Sequence, residues 1–232
     1  MKILAVESAA ATASVAILQD GSLLGEISIN NRKTHSQNLM PMITELMAKL
    51  ELSPKDIDYF AASVGPGSFT GLRIGISIVK GIAYSSQKPT VAVPTLEAMA
   101  EGHSESDSII CPMMDARNNQ VFTAIFKSHN GKVERISEYL GIPVSDLIVL
   151  LEEHGDVIFT GDGAVLHEEM IKKMNRPGFL FAKKGTTLNR ALDVALVAEK
   201  MISNGETCDS YSLKPFYLRK SQAERLYEQN IP

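Results

Sequence analysis

The chain has 232 residues, 44% of them hydrophobic, enough for one large domain or two modest lobes with packed interiors. Its 27 acidic residues against 23 Lys and Arg leave a formal net charge of −4. That balance excludes a protein gripping nucleic acid by itself, because holding a phosphate backbone rests on a surplus of cationic side chains. Two cysteines, Cys111 and Cys208, form no CxxC pair and are expected as free thiols in a reducing compartment. The first residues lack the apolar core of a signal peptide, and no run approaches the ~20 apolar residues of a spanning helix. A cytoplasmic protein without membrane contact is expected.

Taken in chain order, residues 2–6 read as a strand, followed by strands over 13–19 and 22–29 joined at Asp20-Gly21, a strong hairpin signal. A helix follows over 36–50, then strand 57–64, helix 69–85, strand 90–93 and helix 94–102. Pro94 suits a helix start, where its missing donor costs nothing. The second half repeats this order. Strands are predicted over 109–114, 120–127 and 132–139, the last two joined at Asn130-Gly131. Helix 143–154, strand 157–160, helix 164–175, strand 178–181 and helix 188–204 complete it, with Gly205 as a stop signal.

Each half therefore reads β-β-β-α-β-α-β-α, the plan of an actin-like (ribonuclease-H-like) ATPase domain, here in tandem. The polar stretch His103-Ser104-Glu105-Ser106-Asp107 separates the lobes, giving 1–103 and 104–232. A fold of this kind hosts many activities and by itself assigns none.

Catalytic motifs are sparse. The chain contains no GxxxxGK[ST] phosphate loop and no Gly-x-Ser-x-Gly nucleophile elbow, and Gly65-Pro66-Gly67 is not a dinucleotide fingerprint. The histidines at 35, 103, 129, 154 and 167 have no metal-ligand spacing; His35 is expected to abut the first helix. Thr160-Gly161-Asp162-Gly163-Ala164 joins a strand to a helix start. There Asp162 either caps the helix while the glycines allow the turn, or, with Gly161 and Gly163, retains a nucleotide contact.

Two helices carry more apolar surface than one sheet face needs. In 69–85, Arg73, Ser77, Lys80 and Tyr84 form one polar stripe, while Leu72, Ile74, Gly75, Ile76, Ile78, Val79, Ile82 and Ala83 fill the rest. In 36–50, Leu39, Ile43, Leu46 and Leu50 make a stripe widened by Met40, Met42 and Met47. Either these helices cover each other within the subunit, or they pack on another chain through Leu39, Met40, Ile43, Met47, Gly71, Leu72, Ile74, Gly75, Ile78 and Val79. In the second case Gly75→Leu leaves the monomer folded and breaks the association. The basic residues Arg219, Lys220 and Arg225 near the end are either a solvated tail or a contact with tRNA or a partner.

The run Val64-Gly65-Pro66-Gly67-Ser68-Phe69-Thr70-Gly71-Leu72-Arg73-Ile74-Gly75 resembles the signature of the TsaB (YeaZ) family, bacterial proteins needed to install threonylcarbamoyl on adenosine 37 of tRNA. His35-Ser36-Gln37-Asn38-Leu39, Met114-Asp115-Ala116-Arg117, Gly161-Asp162-Gly163-Ala164 and Pro215-Phe216-Tyr217-Leu218-Arg219 support it. Glu7 stands where the family usually shows Asp, and Asn118-Asn119 where a second Arg is common.

The resemblance implies a subunit without catalysis of its own, bound through the helix pair to a TsaD-like catalytic relative that modifies tRNAs reading ANN codons. It also implies a TsaE-like ATPase in the larger complex, tRNA reached through the complex alone, and a homodimer through the same helical face in the partner's absence. Relatives of the TsaD type carry His-Leu-Glu-Gly-His as metal ligands; here the same stretch reads Thr95-Leu96-Glu97-Ala98-Met99, and a thioether is a poor ligand for such a cation. The turn Ser8-Ala9-Ala10-Ala11-Thr12-Ala13 lacks the carboxylate that actin-like ATPases place there. No cofactor is expected on this chain; ATP and metal are expected on the partner. The alternative is an ATP-dependent transferase or phosphotransferase of the actin-like fold.

Overall fold

The computed structural model describes residues 1–31, 34–183 and 185–219. The first lobe runs β1 (Lys2–Glu7), β2 (Ala13–Gln19), β3 (Ser22–Ile29), α1 (His35–Lys49), β4 (Tyr59–Gly65), α2 (Phe69–Ser86), β5 (Thr90–Pro94) and α3 (Thr95–Glu101). The second runs β6 (Ile109–Asp115), β7 (Gln120–Thr123), β8 (Phe126–His129), β9 (Lys132–Arg135), β10 (Leu140–Pro143), α4 (Val144–Leu150), β11 (Val157–Thr160), α5 (Asp162–Lys173), β12 (Phe179–Phe181) and α6 (Ala191–Ser203).

The two sheets share one wiring. The first has the order β3-β2-β1-β4-β5 and the second β10-β7-β6-β11-β12. In each, the first strand is antiparallel to the hairpin strand beside it and parallel to the strand after the first helix. This is the tandem actin-like architecture.

The expected second-lobe hairpin departs from two unbroken strands. Each strand splits, because Ile125 donates its N–H to the Ser137 hydroxyl at 2.8 Å in place of a ladder partner. Ile136 then donates to the Ile125 carbonyl at 2.8 Å. Strand β6 is consequently paired by β8 at its start and by β7 at its end. The turn at Asn130-Gly131 has both residues at positive φ, 52° and 71°, as its composition demands.

Helix starts follow local chemistry. Thr34 and Gln37 close a capping box on α1, and Ser68 caps α2 by accepting the Gly71 N–H at 3.2 Å. Helix α5 begins two residues before the expected 164, with Gly161 (φ 97°) at its N-cap. Asp162 is thus its first helical residue and not the cap.

The core has three parts. Helices α1 and α2 cover one face of the first sheet, with Leu39, Ile43, Leu46, Leu72, Ile76 and Val79 buried on Leu4, Val6, Phe60 and Ala62. Helix α6 returns from the second half to cover the other face, seating Ala191, Val194, Ala195 and Ala198 on Ile3, Ala5, Ala16 and Leu18. Helices α4 and α5 bury Leu147, Ile148, Ala164 and Ile171 against Cys111, Met113 and Phe159. Between the lobes, α3 touches both α6 and β6.

Residues 208–219 form a strap over α2 and the lobe junction. Cys208 makes a two-way backbone bridge with Thr90, and Phe216 donates its N–H to Val64 at 2.7 Å. Leu213 is buried. Arg219 donates to the Gln120 side chain and to the Gly141 carbonyl, and its guanidinium lies 5.4 Å from the Phe122 ring. The solvated-tail reading therefore fails for this stretch. Both cysteines are free thiols, and burial pushes the Cys111 thiol up to about 12. No helix among the described residues is long and apolar enough to cross a membrane.

Candidate binding cleft and partner-facing helix

A cleft of about 650 Å³ opens between the lobes, lined by Ala9, Ala10, Ala11, His35, Gly67, Ser68, Phe69, Thr70, Met114, Asp115, Ala116, Arg117, Phe122, Asp162 and Arg219. Motifs scattered over 185 residues of sequence, those noted at 35, 64–75, 114–117, 161–164 and 215–219, thus all reach one cavity. Close backbone approach explains its glycines. A Cβ on Gly67 would stand 2.5 Å from the Ala9 carbonyl oxygen, and one on Gly163 would stand 2.9 Å from that of Met113. Ser68 donates its N–H to the same Ala9 carbonyl at 2.7 Å, fastening the Gly-Pro-Gly loop to the first hairpin turn.

Asp162 Oδ1 accepts the N–H groups of Asp115 (3.1 Å) and Gly163 (2.8 Å), so it fastens the start of α5 to the end of β6. Burial pushes its carboxyl up, opposed by those N–H donors. Asp115 in turn accepts the Arg117 N–H at 2.7 Å. Arg117, Asn118 and Asn119 all hold positive φ, between 54° and 64°, a conformation that Asn tolerates better than most residues. His35 reaches the Ala10 carbonyl through Nε2 at 2.9 Å, while among the described residues its buried Nδ1 has no partner.

Glu7 does not line the cleft. It is 1% exposed, and its Oε1 accepts the Ala9 N–H at 2.6 Å. Burial drives its pKa up to about 7, and the nearby Asp193 charge adds to the shift. The two positions where a TsaD-like chain carries metal ligands are engaged inside this subunit. The Thr95 hydroxyl accepts the Gly65 N–H at 3.1 Å, and the Met99 methyl packs where a Gly161 side chain would stand. Neither residue is a donor suited to a hard or borderline cation. Among the described residues no group of three His, Cys, Asp or Glu is placed to hold a metal.

The helix face differs from expectation. Of the ten interface residues, Leu39, Ile43, Met47, Gly71, Leu72, Gly75 and Val79 are buried within the subunit. Gly71 and Gly75 admit not a partner helix but Ser8, whose hydroxyl donates to the Gly71 carbonyl at 3.0 Å. A Cβ at 75 would stand 2.2 Å from Ser8 Oγ, so the expected tolerance of Gly75→Leu is overturned. Met40 is exposed and Ile74 and Ile78 are half-buried, so these three of the ten remain accessible.

The polar stripe of α2 is taken by the strap. Arg73 donates to the Tyr217 hydroxyl at 2.9 Å, Lys80 donates to the Tyr211 and Leu213 carbonyls, and Tyr84 meets Tyr211 edge-on. Tyr217 also stacks on Phe69, with ring centroids 4.4 Å apart. Sequence reasoning missed this strap, although the aromatic pair Phe216-Tyr217 was its signal. Arg219 is engaged within the chain, and Lys220 and Arg225 lie outside the described residues.

Residues 22–227 match the family model described as TsaD: tRNA N6-adenosine threonylcarbamoyltransferase. The tRNA threonylcarbamoyladenosine biosynthesis protein TsaB of Bacillus subtilis is 31% identical over 97% of this chain and 96% of its own. Its Escherichia coli namesake is 28% identical over 96% of each. The solved structure of YeaZ from Pseudomonas aeruginosa superposes with a TM-score of 0.82 at 25% identity, covering 94% of this chain and 99% of that one. With matches along the whole length and its motifs gathered in one cleft, the chain belongs to the TsaB (YeaZ) family of tRNA threonylcarbamoyladenosine biosynthesis proteins, within the wider TsaD family.

Proposed function

We propose that this chain is the non-catalytic subunit that binds and activates a TsaD-like enzyme, which threonylcarbamoylates adenosine 37 of tRNAs reading ANN codons. The observation that carries this reading is the lining of the cleft. Ala9, Ala10 and Ala11 occupy the turn where an actin-like ATPase needs a carboxylate, and Thr95 and Met99 are turned to internal packing. On this reading ATP and metal belong to the TsaD-like partner, a TsaE-like ATPase joins the larger complex, and tRNA is met through the assembly. Net charge of −4 fits that division of labour.

The accessible remainder of the helix pair, Met40, Ile74 and Ile78 with exposed Gly81, is the docking face of this reading. A Cβ on Gly81 would meet nothing within 4 Å, so the subunit itself has no use for a glycine there. The same face serves for a homodimer when the partner is absent. Reconstitution with a TsaD-like subunit, a TsaE-like ATPase and tRNA tests the reading. Modified adenosine should require this chain, and Met40→Asp with Gly81→Leu should abolish co-purification with the TsaD-like subunit while the thermal midpoint holds. ATP turnover by the isolated chain, lost in Asp162→Ala, would instead establish the transferase or phosphotransferase alternative.

A further inference from the structure

A second, smaller cavity of about 220 Å³ lies between the lobes and shares no residue with the cleft. It is walled by Met99, Gly102 and His103 at the end of α3, Thr160 at the end of β11, residues 185–190, and Asp193 in the first turn of α6. Asp193 is 8% exposed, yet among the described residues it accepts no hydrogen bond and enters no ion pair. Gly102 lets it sit there, since a Cβ at that position would stand 3.0 Å from Asp193 Oδ2.

Its acidic neighbours are all served. Glu101 holds Lys200 at 2.6 Å. Glu26 holds Arg190 through Nε (3.1 Å) and Nη2 (2.6 Å), and Glu7 accepts the Ala9 N–H. Among the described residues, four carboxylates, Glu7, Glu26, Glu101 and Asp193, stand around this pocket against the cations Arg190 and Lys200. Burial lowers the His103 pKa from its ordinary value, and its Nε2 is hydrogen-bonded with the Thr160 hydroxyl at 2.9 Å. Burial, with the charges of Glu26 and Glu101 adding to it, pushes the Asp193 carboxyl up to about 7, while Arg190 opposes the shift. A buried carboxylate without a partner is costly to keep, and a bound cation removes the cost.

We propose that this interlobe pocket binds a small organic cation, a primary ammonium on a short apolar chain, with the ammonium on the Asp193 carboxylate and the chain against Met99 and Leu188. A metal ion fits less well, for among the described residues one carboxylate and no cluster of three ligand side chains face the space. The volume suits a molecule the size of about seven waters rather than a bare ion. Since α3 belongs to the first lobe and β11 to the second, a ligand there would tie the lobes together.

The test uses the full chain alone, with n-butylammonium chloride as probe and n-butanol as its neutral counterpart, at matched ionic strength and pH 8. Calorimetry should show saturable one-to-one binding of butylammonium and none of butanol, with the Met99 methyl resonance shifting along the same isotherm. Asp193→Asn keeps the shape and removes the charge, and should weaken binding at least tenfold; Glu45→Gln, an exposed carboxylate on α1 outside both cavities, should leave it unchanged. Binding should also fall as the pH drops below about 7 and Asp193 takes up its proton. Absence of saturable binding, equal binding by Asp193→Asn, equal binding of butanol, or an unmoved Met99 methyl would each overturn the proposal and leave a pocket that holds water.

Discussion

The two lobes repeat one plan, and their first strands end alike. Glu7 closes β1 and accepts the N–H of Ala9; Asp115 closes β6 and accepts the N–H of Arg117. The turn chemistry is the same, a carboxylate folded back on the residue two places ahead. Their surroundings are opposite: Glu7 is buried and Asp115 exposed. Helices α2 and α5, which follow the parallel strand in each lobe, diverge in the same way. Helix α2 buries Leu72, Ile76, Val79 and Ala83, and the strap bonds to Arg73 and Lys80 of its polar stripe. Helix α5 leaves Val165, Leu166 and Met170 exposed. Equivalent positions in a repeated fold thus share backbone roles while differing in what covers them, and burial sets the energetics.

Substitutions on the two helices make the largest test of that difference. Gly75→Leu on α2 places a Cβ 2.2 Å from Ser8 Oγ and 3.2 Å from Ser8 Cβ, displaces the Ser8 hydroxyl from the Gly71 carbonyl, and should destabilise the isolated chain by about 1–3 kcal/mol. Leu166→Lys on α5, 61% exposed, should change stability by no more than about 0.5 kcal/mol. Thermal melts of both variants decide it; a tolerated Gly75→Leu would mean that α2 is not core.

The strand-end carboxylates come next. The Glu7 pKa, raised from 4.5 to about 7, means that the folded state holds a proton the unfolded chain has released. Stability contributed by protonated Glu7 is present below about 4.5 and is lost as the pH rises to about 7. Glu7→Gln keeps the acceptor for Ala9 and removes the buried charge. It should therefore gain up to about 3 kcal/mol at pH 8 and almost nothing at pH 4.5. Denaturant titrations at the two pH values would refute the account if Glu7→Gln gained as much at pH 4.5 as at pH 8.

The smallest effect lies on the outer side of α2. Gly81→Ala should stabilise the isolated chain by up to about 1 kcal/mol, because the helix gains a better former and nothing stands within 4 Å of the new methyl. A loss of stability would mean that this side of the helix is not free.

Element order, the wiring of both lobes and most boundaries were legible in the sequence. Asp-Gly and Asn-Gly turns, Ser and Thr caps and the alternation of apolar residues act over a few positions. The runs at 64–75 and 114–117 also marked the cleft, because loops that approach each other's backbone closely need glycine at set places. What the sequence left open was which neighbour meets each face. A helix apolar nearly all round reads the same whether a sheet and a strap cover it or another chain does. The strap chose for α2, and its Tyr217 and Leu213 meet Arg73 and Lys80 from positions more than 130 residues away. Glu7 and Asp193 likewise look like ordinary surface acids in the sequence; they became buried groups with shifted pKa values only when α6 returned from the second half onto the first sheet. Local chemistry shapes the elements, whereas desolvation is a property of the assembled fold and is set by contacts that no short stretch of sequence contains.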